Sequence, residues 1–162
     1  MSIRSGVRRS CAALAAGGLA ATGLVVTAGP AQAAGTTLVI NEVYGGGGNS
    51  GATYTNDFVE LFNGTGAEID LQGYRVEYYS AAGNLGNSCP IGGTVPAGAT
   101  FLIQQGAGAG GTTALPKPDA VCSANMSATR GSVRLFDAAG EIVDTVGYGA
   151  VELFEGAPGP EL

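Results

Sequence analysis

After residue 35, apolar side chains never recur at i, i+3, i+4 and i+7 without a Gly or Pro intervening, which argues against a helical core. Short β-rich runs bounded by turn residues take the place of that period. They are Leu38–Tyr44, Asp57–Asn63, Tyr74–Ser80, Thr100–Gln105, Ser132–Asp137 and Glu141–Tyr148, with weaker runs at Ala67–Leu71 and Asp119–Cys122. Between them lie Gly45–Gly48, Gly64–Gly66, Gln72-Gly73, Pro96–Gly98, Gly106–Gly111 and Ala138–Gly140. Spacing of this kind predicts an all-β, antiparallel sandwich with many loops.

Alternation with period two assigns the faces. Phe58, Glu60 and Phe62 share one side of their run, with Asp57, Val59, Leu61 and Asn63 on the other. Val133, Leu135 and Asp137 lie together, as do Ile142, Asp144 and Val146. Asp137–Glu141 reads as a hairpin loop in which Gly140 supplies a positive φ. The core expected from these patterns is Val39, Ile40, Val43, Phe58, Val59, Leu61, Leu71, Tyr74, Val76, Phe101, Leu102, Ile103, Val133, Leu135, Ile142 and Val146.

The 162 residues suffice for one ordinary domain, and residues 1–33 stand outside it. Arg4, Arg8 and Arg9 precede an apolar Cys11–Ala28 run, a Gly29-Pro30 break and Ala31-Gln32-Ala33. That order is a secretory signal peptide, with cleavage between Ala33 and Ala34. As a membrane anchor the run is interrupted by Gly17, Gly18 and Gly23 and falls short of a ~20-residue span, so the mature chain is expected to have no transmembrane segment. Arg8-Arg9 lacks the large apolar residue that a twin-arginine signal carries after the pair. Cys11 precedes the apolar run, where a lipoprotein cysteine would end it. The domain is then residues 34–150. Residues 151–162, rich in Gly and Pro, read as a poorly ordered tail beyond the fold.

Cleavage would leave four basic residues against thirteen acids, a net charge of −9. Such a surface repels phosphate backbones, so direct nucleic-acid binding is not expected, and its plainer role is solubility. Cys89 and Cys122 remain, and in an oxidising compartment they read as one disulfide contributing about 3–4 kcal/mol; two separately buried thiols are the alternative. The chain has no histidine. Ser-His-Asp and Cys-His chemistry, the usual zinc sites and most general-base designs therefore drop out.

Four segments in order resemble the bacterial, secreted branch of the lamin tail domain family. They are Leu38–Tyr44, Asp57–Gly64, Ile69–Tyr74, and Ser132–Asp137 followed by Gly140 and Ile142–Gly147. Val95–Ala99 is similar to the family's turn before a central strand. The resemblance covers residues 37–149 and implies an immunoglobulin-like sandwich. It further implies an exported module of the kind found beside metal-dependent nuclease or phosphatase domains. No catalytic partner domain lies in this chain, so the resemblance carries over no activity, and the chain could be part of a longer protein.

Several residue groups invite chemistry. Glu42, Asp57 and Glu60 could share a hard cation if adjacent strands brought them together, but no x-D-x-D-x-D run accompanies them, and ordinary strand carboxylates are the simpler reading. No metal, cofactor or catalytic residue is therefore assigned. Glu42 and Glu60 as a glycosidase pair would need a cleft that nothing indicates. Gly45–Gly48 and Gly106–Gly111 are not followed by Lys and Ser/Thr, so they read as flexible loops and not as phosphate binders. Tyr44, Tyr54, Tyr74, Tyr78 and Tyr79 could stack on sugars, though core or edge packing is favoured. Tyr78 and Tyr79 point to opposite faces, so at most one is outside. Asn63-Gly64-Thr65 and Asn125-Met126-Ser127 match glycosylation sequons, without meaning in a bacterial protein.

The expected function is a secreted, non-enzymatic module holding an extracellular protein, glycan or envelope component. Two alternatives are an accessory or truncated part of an exported nuclease or phosphatase, and a stand-alone glycan-binding sandwich.

Overall fold

Ten strands follow one another in the computed structural model, which describes residues 38–162. The expected signal peptide and its cleavage point at Ala33 and Ala34 lie outside the described residues. The strands are β1 (Leu38–Tyr44), β2 (Asn56–Asn63), β3 (Ile69–Asp70), β4 (Arg75–Tyr79), β5 (Leu85–Pro90), β6 (Thr94–Val95), β7 (Thr100–Ala107), β8 (Ala120–Val121), β9 (Gly131–Phe136) and β10 (Ile142–Tyr148). One sheet has the order β1-β2-β7-β8, the other β10-β9-β4-β5, and β3 pairs with β6. All pairings are antiparallel except the two-residue β7–β8 contact. The described residues contain no helix, and so none long and apolar enough to cross a membrane.

The sheets close on each other through alternate side chains. Leu38, Ile40, Val59, Leu61, Phe101 and Ile103 point inward from the first, and Val76, Val133 and Leu135 from the second. Leu71, Ile91 and Val95 seal one end of this core, Ala124 and Met126 the other. Two links lace the open sides. The Asp144 carboxylate accepts the Ile40 N–H at 2.7 Å, joining β10 to β1. Opposite, a Cys89–Cys122 disulfide with Cα atoms 5.9 Å apart joins β5 to the segment after β8.

Where the structure departs from the alternation pattern, local irregularities are responsible. A bulge between Ile142 and Asp144 shifts the β9–β10 register, turning Ile142 outward to 51% exposure and Val143 toward the core. Val39, Phe58 and Leu102 lie on the outer face of the first sheet, outside the inter-sheet cluster, although Phe58 is buried there as expected, against Tyr44 and Tyr54. Strand β5, Leu-Gly-Asn-Ser-Cys-Pro, has weak β propensity of its own and exists because β4 templates it.

The segment after residue 150 is not a loose tail. Ser132 Oγ donates to the Leu153 carbonyl, Glu152 N–H to Ala81, and Gly159 N–H to Gly147 at 2.7 Å. Gly147, lacking a side chain, leaves the space that Val151, Leu153 and Phe154 occupy.

Nor are the two glycine-rich runs free loops. Gly48 N–H bonds the Tyr54 carbonyl, Gly108 N–H bonds Thr55, and Gly110 N–H bonds Gly48 at 2.6 Å. A β-carbon on Gly48 would meet the Gly108 Cα at 2.2 Å, and Gly48 also holds φ +73°. Backbones approach this closely only where both residues lack side chains. Gly48→Ala is therefore expected to cost about 1–3 kcal/mol. Gly66→Ala, which meets open space at ordinary φ, should be neutral or stabilising by up to about 1 kcal/mol. Urea denaturation of the two variants checks the contrast.

Candidate functional site

Strand β2 carries polar residues at both ends of its inner face, and each end organises a loop. Asp57, 3% exposed, accepts the Gly47 N–H at 2.5 Å and the Met126 N–H at 2.6 Å, with the Gly46 N–H also directed at it. Burial pushes its carboxyl above the ordinary value, and the three amides partly offset that. Beside it Tyr148 donates to the Ser127 carbonyl at 2.7 Å, and Tyr78 accepts the Ser127 N–H at 3.0 Å. Burial, reinforced by Tyr78, raises the Tyr148 hydroxyl well above its usual range. At the far end Asn63 is fully buried. Its amide donates to the carbonyls of Ala67, Val95 and Pro96, and its oxygen accepts from Thr65. The side chain of that sequon is closed to glycosylation in the folded state.

Asp57 thus faces away from Glu42 and Glu60, and a three-carboxylate cation site is not assembled. Among the described residues no group of three His, Cys, Asp or Glu side chains is placed to hold a metal. The phosphate-loop amides are equally committed: Gly46, Gly48 and Asn49 N–H groups bond Met126, Tyr54 and Gly46 carbonyls.

The outer face of the first sheet does bring candidate residues together. Glu42 on β1 stands directly opposite Glu60 on β2, which stands opposite Leu102 on β7. In the next row Tyr44 stacks on Phe58 at 5.4 Å, and Tyr54 meets both rings edge-on at 5.3 and 5.7 Å. The interlocked glycine loops hold Tyr54 on one side, and the chain running on from Gly111 brings Leu115 and Pro116 to the other. Glu42, Tyr54, Phe58, Glu60, Leu102, Leu115 and Pro116 line a pocket of about 170 Å³. Glu60 accepts a hydrogen bond from the Asn41 side chain at 2.7 Å. Among the described residues neither glutamate has an ion-pair partner, and Lys117, next to Pro116, bridges to neither.

Compared with known families, residues 31–150 match the model of the Lamin Tail Domain. The chain belongs to the lamin tail domain family. A search of curated proteins finds no match.

The second sheet of this lamin tail domain carries a different outer surface. Glu77, 8% exposed, accepts from Arg75 at 2.8 Å, from Ser88 at 3.1 Å and from the Tyr79 hydroxyl. Arg75 lies over the Phe136 ring at 3.9 Å, and Arg134 faces Tyr79 at 5.3 Å. Of the Tyr78–Tyr79 pair, Tyr78 is therefore the inner and Tyr79 the outer residue. Burial opposes charge on Glu77, but hydrogen bonds from Tyr79, Arg75 and Ser88, with the Arg75 charge, outweigh it and hold the carboxyl below its ordinary 4.5. Its stabilising contribution is fully present above about pH 4.5 and is lost as pH falls through the lower folded value. Asp57 has the opposite sign: its raised value gives a contribution present below 3.8 and lost as pH rises through the folded value. Glu77→Gln is expected to lower the melting temperature at pH 7 and to flatten its fall below about pH 4.5. Thermal melts between pH 7 and pH 2 measure both.

Glu42 and Glu60 are legible in the sequence as candidate ligands, but their pocket is not. Leu115 and Pro116, in a stretch without β pattern, carried no signal, because they are held over the sheet by contacts on either side of them: the Thr112 and Thr113 amides on Thr53, and Asp119 on Leu102.

Proposed function

We propose that this lamin tail domain is a secreted, non-catalytic interaction module that holds an extracellular partner on the outer face of its first sheet. The observation that carries this reading is the pocket between Tyr54, Leu102, Leu115 and the Glu42–Glu60 pair. Export is supported by the basic, apolar and small-residue order of residues 1–33. A binding role over catalysis is supported by the lack of histidine and by the two glutamates standing side by side on one sheet. Acid and base groups for glycoside hydrolysis must instead flank the scissile bond.

Leu115→Trp fills the pocket while leaving both carboxylates in the sequence, and Ile142→Ser alters the remote sheet. Residues 34–162 and both variants would be used to probe extracellular protein fractions and a glycan array. Capture by the native and Ile142→Ser proteins, lost in Leu115→Trp, is the expected result. Capture indifferent to Leu115→Trp, no capture from either source, or turnover of nuclease, phosphatase or glycosidase substrates by the purified domain would refute the proposal.

A further inference from the structure

Resting on that binding-face reading, we infer that the pocket's ligand is a basic side chain, with lysine the best fit, presented by a segment of a partner protein. Size argues first. Pockets that bury small molecules span roughly 300–1,000 Å³, and this one, at about 170 Å³, has room for a single long side chain. Lining argues next. Phe58, Leu102, Leu115 and Pro116 offer apolar surface that suits a four-carbon stem, while Glu42 and Glu60 stand at the same place to receive an ammonium group.

Charge supplies the driving force. Like charges directly opposite across two strands are mutually destabilising, and Glu42 and Glu60 stand in that relation. A cation seated between them converts repulsion into two charge-assisted hydrogen bonds, and the Tyr54 ring, which also lines the pocket, adds an aromatic surface of the kind that attracts cations. The rest of the domain favours the same partner: from residue 38 onward thirteen acids face four basic residues. That field steers basic segments toward the domain without selecting where they dock. Selection lies in the pocket.

The test titrates residues 34–162 with a tetralysine peptide by calorimetry. Glu42→Gln and Glu60→Gln are each expected to weaken binding on the order of 3–10-fold, and the double variant or Leu115→Trp to abolish it. Glu152→Gln with Glu155→Gln removes the same charge elsewhere and should leave the affinity within about twofold. Tetralysine acetylated on every Nε should not bind. A merely structural role for the glutamates predicts lower stability in the glutamine variants, whereas relief of repulsion predicts equal or higher melting temperatures. Binding of the acetylated peptide, equal weakening by the remote pair, or binding of calcium or a chitosan oligosaccharide without binding of tetralysine would overturn the inference. Should Leu115→Trp abolish partner capture while tetralysine fails to bind native protein, the face reading survives and the basic-ligand assignment falls.

Discussion

Asp57→Ala is expected to destabilise the domain by about 3–5 kcal/mol, because it strands buried amides at roughly 1–3 kcal/mol each. The carboxylate, only 3% exposed, serves the N–H groups of Gly47 and Met126, the second of these bonds being buried. Relief of the charge-burial cost offsets only part of this loss. At this chain length the change corresponds to a fall in melting temperature on the order of 10–20 °C. Asp57→Asn keeps one acceptor but turns an –NH₂ toward amide donors, so an intermediate loss of about 1–3 kcal/mol follows. The effect should travel. Gly47 leads into Gly48, whose carbonyl accepts the Gly110 N–H, so loosening this turn loosens both walls of the outer pocket. Faster hydrogen exchange at Gly48, Gly108 and Gly110 would register it. An Asp57→Ala protein melting within about 2 °C of the native one would contradict the assignment.

The second large effect concerns the disulfide. Cys89 and Cys122 are 33 positions apart and join β5 to the segment after β8. Closing a loop of that length in the unfolded chain contributes about 3–4 kcal/mol in the chain-entropy treatment. Cys89→Ser with Cys122→Ser should lose about that much in urea denaturation, and reduction of the native protein should give a similar loss. β5 depends on β4 for its geometry and has little propensity of its own, so it should be the first element to exchange its amides once the bridge is gone. A loss below about 1 kcal/mol, or an intact mass of the purified, unreduced protein showing two free thiols, would contradict this.

Much of the architecture was legible because its alternation is clean. Val59, Leu61, Val133 and Leu135 occupy strict period-two positions, and all are fully buried. Ile142 misled because a bulge is a register event between two strands, invisible in either strand alone. β5 was missed for the same kind of reason, since its pairing is imposed from outside. Gly45–Gly48 and Gly106–Gly111 looked like independent loops, because sequence does not show that two runs without side chains will lie against each other. Asp57 was grouped with Glu42 and Glu60 by residue type, although odd–even alternation along β2 already separates Asp57 from Glu60. The polar residues that alternation places inside, Asp57 and Asn63, are structural. The outward Glu60 is the one available to a ligand.

That division is most directly tested by an amide chemical-shift titration of ¹⁵N-labelled residues 34–162 with tetralysine peptide. Perturbations are predicted on β1, β2 and β7 around Glu42, Phe58, Glu60 and Leu102, and in the loops carrying Tyr54 and Leu115, with β4, β5 and β9 unchanged. Shifts centred on the Arg75–Glu77–Arg134 face, or spread evenly over the acidic surface, would contradict it.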